Sequence, residues 1–78
     1  MNAKTETTAR TAMYTAHGNF IDASRAFDAS TKAPEARFPV EHPDRITWQA
    51  RRDALWQEVE ATQTVHTAAV AEWQALSA

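Results

Sequence analysis

The stretch TAMYTAHGNFIDASRAF, residues 11–27, sets the only glycine of the chain in the middle of a helical pattern. A helix that ends at Gly18 makes three short helices of this protein; a helix that runs through it makes two long ones. The flanking apolar residues decide between them. Ala9, Met13, Ala16, Phe20, Ala23 and Phe27 alternate steps of four and three, which keeps them on one side of a single helix. Their phase is the same before and after Gly18. A helix that stopped there and restarted at Asn19 would have no reason to preserve it. The spacing predicts one helix over about residues 4–29, weakened at Gly18 by about 1 kcal/mol relative to alanine. The competing arrangement makes Gly18 a C-cap and Asn19 an N-cap followed by Asp22. A mild kink is compatible with both.

All three prolines, Pro34, Pro39 and Pro43, fall in the segment that follows. Proline inside a helix costs about 3 kcal/mol, so residues 30–43 read as the connection. Within it, APEAR has the composition of one helical turn led by Pro34. Phe38 and Val40 are apolar residues in a loop. They are expected to fold back against Phe27 and Trp48, or else Phe38 serves as an anchor for a partner.

Beyond the connection the pattern is clearer. Trp48, Arg52, Leu55, Val59, Thr62, His66, Ala69, Trp73 and Leu76 again alternate four and three. They predict a helix over about residues 44–76, roughly 50 Å long at 1.5 Å per residue. Pro43 suits a first helical position, and Asp44 favours the positive helix N-terminus. A second row, Ala54, Ala61, Ala68 and Ala75, recurs every seven residues. It would let a neighbouring helix approach closely, or it expresses helix propensity alone.

The chain thus reads as one all-α domain over residues 1–78, an antiparallel two-helix hairpin with a proline-rich connection. Pairing the helices back from the loop sets Phe27 near Trp48, Phe20 near Leu55 and Met13 near Thr62. Val70, Trp73 and Leu76 then face a polar N-terminus and lack a mate. With 78 residues and no cysteine, a small core needs another source of support, and a second copy is the simplest. A homodimer forming a helical bundle is expected, with Val70, Trp73, Leu76 and His66 in its interface.

Composition bounds the function. A formal net charge of −2 argues against a coat for nucleic acid or anionic membrane. MNAKTETTAR has no apolar core of a signal peptide, and no stretch approaches the roughly 20 apolar residues of a membrane span. A soluble, cytoplasmic chain is expected. There is no glycine-rich phosphate loop and no cysteine nucleophile. Ser24, Ser30 and Ser77 lack any motif, and His17, His42 and His66 lie on separate segments without ligand spacing. His66 belongs to the apolar stripe, near Glu6 or Ala9 in the expected pairing, where a hydrogen-bonded interface role suits it. A loop cluster of Glu35, Glu41, His42 and Asp44 is a conceivable metal site, but its mixed charges suit a solvated loop better. No enzyme, cofactor or metal is expected.

Lys32, Arg37, Arg45, Arg51 and Arg52 raise the question of nucleic acid. Dimeric RNA-binding hairpins such as the plasmid copy-control protein Rop are an architectural parallel, with no shared motif. Glu35, Glu41, Asp44 and Asp53 interleave with these bases, and no basic face emerges. Protein binding is the remaining class. Trp56 lies about 100° around the helix from Leu55, and Tyr14 is similarly displaced on the first helix. Each either packs at the edge of a dimer core or is exposed as a binding residue. Arg45, Arg52, Trp56 and Phe38 cluster near the loop and are the expected partner surface. The expected function is an interaction module that binds and inhibits, or otherwise modulates, a larger protein. Small acidic helical chains of this kind are common among phage and mobile-element proteins that disable host factors, an association of class that no residue here establishes. A host-encoded accessory subunit of an enzyme or secretion complex is the alternative.

Overall fold

The computed structural model describes residues 3–77. Two α-helices, α1 (Ala3–Thr31) and α2 (Pro43–Ser77), run antiparallel, and a 3₁₀ turn at Pro34–Arg37 lies between them. The result is a rod whose Cα trace measures 57 × 14 × 14 Å. Its radius of gyration is 17.5 Å, against about 11.5 Å for a compact chain of this length.

α1 runs through Gly18 without interruption, and no glycine among the described residues has a positive φ. The helix ends where its sequence stops favouring it. The Ser30 hydroxyl donates to the Phe27 carbonyl at 2.6 Å and the Thr31 hydroxyl to that of Asp28 at 2.7 Å. The Lys32 and Ala33 amides tighten the exit through bonds to Ala29 and Ser30. Ala33 is then extended, at φ −67° and ψ 144°, as a residue before proline is driven to be. Pro34 opens the 3₁₀ turn and Pro43 occupies the first position of α2. His42 precedes it and caps the helix: its Nδ1 accepts the Asp44 amide at 3.1 Å and its carbonyl accepts the Ile46 amide at 3.0 Å.

The core is narrow. Its buried apolar residues are Ala9, Ala16 and Ala23 on α1, and Trp48 and Val59 on α2. Among the described residues the buried positions of α1 are therefore all alanines, one every seven residues, and the half-buried Met13, Phe20 and Phe27 each follow one of them by four. Alternation of small and large along one stripe lets the facing side chains of α2 interdigitate. Ala54, Ala61, Ala68 and Ala75 are all exposed, so the row singled out on α2 is not the one that admits a helix within the hairpin.

The register differs from the expected one by about a heptad. Phe27 meets Trp56, with ring centres 5.1 Å apart, and not Trp48. His66 lies between His17 and Phe20, at 5.1 and 6.2 Å, and not beside Glu6 or Ala9. Trp48 reaches past Phe27 to the very end of α1, where its indole N–H donates to the Ser30 carbonyl at 2.7 Å. The cause is the linker, which folds back on α2 and lets Trp48 close the end of the hairpin. A displacement of one heptad keeps each stripe residue on its stripe, so periodicity does not distinguish the two pairings. Its consequence reaches the far end. The first turns of α1 lie beside the last turns of α2, Ala9 is buried there, and Val70, Trp73 and Leu76 are half-buried within one chain. They do not lack a mate.

Candidate interaction surface

The loop end of the rod gathers most of the residues expected to bind a partner, and it divides them by task. Trp48 is 6% exposed. The guanidinium carbons of Arg45 and Arg52 both lie over its ring, 5.1 and 5.2 Å from the centre, a cation–π arrangement that shields the indole while leaving charge near solvent. Arg45 also donates through Nη1 to the carbonyls of Ala36, at 2.8 Å, and Phe38, at 2.9 Å. Its Nε is buried without an acceptor among the described residues. This side chain is spent on fixing the linker and has little left for another molecule.

Arg52 is half-buried. Its Nη2 donates to the Asp53 carboxylate at 3.0 Å, and both groups keep contact with water, so the pair contributes little to stability. Phe38 is half-buried with its ring 4.9 Å from that of His42. Val40, expected to fold back with it, is 67% exposed.

Trp56 lies one helical turn beyond Arg52. Its indole is 47% exposed, and Phe27 supports the covered part. Tyr14, at 64%, lies far from this end on α1; Ile46, at 58%, is on the outward side of the first turn of α2. Trp56 and Arg52, one turn apart on α2, are thus presented together, with Trp48 supporting Arg52, while Phe38 lies at the start of α2 against His42. Sequence reasoning grouped Arg45 with the binding residues because a carbonyl partner leaves no trace in residue identity.

The expected dimer residues occupy the other half of the rod. Trp73 is half-buried, and its indole Nε1 is buried without an acceptor among the described residues. His66 is half-buried beside His17 and Phe20. Across the chain, no group of three or more His, Cys, Asp or Glu side chains stands close enough to hold a metal ion among the described residues. The Glu35, Glu41, His42 and Asp44 positions do not converge into one. No helix among the described residues is long and apolar enough to cross a membrane. Comparison with protein-family models, characterised proteins and solved structures finds no match to this chain.

Proposed function

We propose that this chain is a non-enzymatic binding module that docks a larger protein through the surface around Trp56 and inhibits or otherwise modulates it, working as a homodimer. The observation that carries the reading is the braced, half-exposed indole of Trp56. Phe27 packs against it, with ring centres 5.1 Å apart, and holds the ring in place before a partner arrives, which lowers the ordering cost of binding. A fixed tryptophan flanked by arginine has the chemistry of an interface hot spot. Two of the five cations that raised nucleic acid as an alternative, Arg45 and Arg52, are engaged inside the chain, which weighs against that alternative.

The dimer has separate support. A compact monomer of 8.7 kDa exposes about 4,700 Å², whereas this chain exposes 5661 Å². Part of that area follows from the rod shape itself, and a second copy laid along the rod would cover some of it.

The partner is identified by co-purification from the native host, and its affinity is then measured against variants shown by circular dichroism to be folded. Trp56→Ala and Arg52→Ala are each expected to lose more than about 1 kcal/mol of binding, and His42→Ala little. Normal binding by both of the first two variants would remove the Trp56 surface from the reading. Sedimentation equilibrium at micromolar concentration tests the dimer, and a folded species of one chain mass across that range would reject it.

A further inference from the structure

Midway along the rod, two histidines from different helices meet. The rings of His17 and His66 are 5.1 Å apart between centres and inclined at 52°. We propose that they form a two-imidazole site for a late first-row divalent cation, Cu²⁺, Ni²⁺ or Zn²⁺, which bridges α1 and α2 and keeps its remaining coordination positions open.

The geometry fits a chelate. Two imidazoles bound to one ion at about 2.1 Å, with a ligand–metal–ligand angle between square and tetrahedral, hold their ring centres about 4.5–5.2 Å apart. The observed separation falls in that range without movement of either helix. Phe20 lies 6.2 Å from His66 with its ring parallel to within 8°, so one side of the imidazole is flanked by an aromatic ring. His17 is exposed and His66 half-buried; the first gives an ion its way in, and the second gives it a partly dry seat.

The surrounding charge also favours this pair. Residues 11–21 of α1 and 61–71 of α2 contain no Asp, Glu, Lys or Arg. No neighbouring ammonium or guanidinium within either stretch repels a cation, and no carboxylate there competes for it. Imidazole nitrogens without carboxylates select Cu²⁺, Ni²⁺ and Zn²⁺ over Mg²⁺ and Ca²⁺. Because no third His, Cys, Asp or Glu joins them among the described residues, the ion is exchangeable. It is not a closed structural zinc of the four-ligand kind.

A cation held by both helices binds the folded hairpin better than the unfolded chain, and so raises its stability. The test uses the full chain and the chloride salts of Cu²⁺, Ni²⁺, Zn²⁺ and Mg²⁺ at neutral pH, read by titration calorimetry and thermal unfolding. The expected result is saturable binding of at least one of the first three ions, at one per chain, with a raised Tm and no response to Mg²⁺. His17→Gln and His66→Gln are each expected to weaken it by at least about tenfold, while His42→Gln leaves it unchanged. His17 is exposed, so its variant retains the fold and tests the site by itself if His66→Gln does not. The proposal is overturned if none of the three ions binds, if binding persists in His17→Gln, or if it depends on His42.

Discussion

Trp48 and Trp73 lie on the same stripe of α2, one near each end of the hairpin, and their surroundings differ. At the loop end, Trp48 donates its N–H to the Ser30 carbonyl, has two guanidiniums over its ring and is 6% exposed. At the open end, Trp73 is half-buried and its N–H is enclosed without an acceptor among the described residues. At the loop end the Trp48 N–H and the Arg45 Nη1 are satisfied by backbone carbonyls, while the Arg45 Nε stays buried without an acceptor among the described residues. The open end holds the Arg10–Glu6 ion pair and the Ser77 hydroxyl bond to the Trp73 carbonyl, each within one helix, and leaves the Trp73 N–H without an acceptor among the described residues. A hydrophobic stripe can therefore be continuous in sequence while the cohesion it provides is uneven along its length.

The largest effect that would break this comparison is expected from Trp48→Ala. Loss of a buried tryptophan typically costs about 3–5 kcal/mol, and denaturant unfolding is expected to show it. A loss below about 1 kcal/mol would mean that the loop end is not the anchor. Next comes Arg45→Ala. It removes two charged hydrogen bonds to the linker, worth about 1.5–3 kcal/mol each in favourable settings, and is expected to destabilise the hairpin and speed amide exchange at residues 36–42. A variant that unfolds normally but fails to bind the partner would return Arg45 to the binding surface.

A paired substitution sharpens the contrast further. Trp48→Phe deletes a satisfied donor and is expected to lose about 1 kcal/mol beyond the change in packing. Trp73→Phe deletes an enclosed donor that has no partner among the described residues, and is expected to be neutral or stabilising, because such a group costs about 1–3 kcal/mol of desolvation. Equal losses at both positions would remove the distinction between the ends. The smallest effect is at Gly18, in the helix that joins them. A Cβ placed there meets nothing within 4 Å, and the backbone is helical. Gly18→Ala is expected to raise stability by about 0.4–1 kcal/mol. A lower melting temperature would show that α1 is not continuous in solution.

The continuity of α1 was legible because the phase of Ala9, Met13, Ala16, Phe20, Ala23 and Phe27 is a one-dimensional property of the chain. The proline positions marked the ends of the connection for the same local reason, and Pro43 took the first position of α2. The register was not legible. It depends on how much length the linker consumes, and on whether alanines or large residues face one another, both of which are properties of two segments at once. The alanine rows make the point: Ala54, Ala61, Ala68 and Ala75 have the same spacing as Ala9, Ala16 and Ala23, yet only the second row lies in phase with the large residues of its own helix. The site was partly legible. Trp56 was recognisable as off the stripe, but its exposure depends on where Phe27 falls, and that again follows the register. The meeting of His17 and His66 could not be read from spacing within either helix.

The rod itself has a hydrodynamic consequence. Extents of 57 Å by 14 Å give an axial ratio of about four, and a particle of that shape drags more solvent than a sphere of equal mass. It will elute early from a gel-filtration column, in the position of a heavier globular standard, even as a single chain. Its amide relaxation rates will also split by direction, since nearly every N–H vector lies along the long axis and reports end-over-end tumbling. The oligomeric state of this hairpin has to be weighed, by sedimentation equilibrium or light scattering, and not inferred from its apparent size.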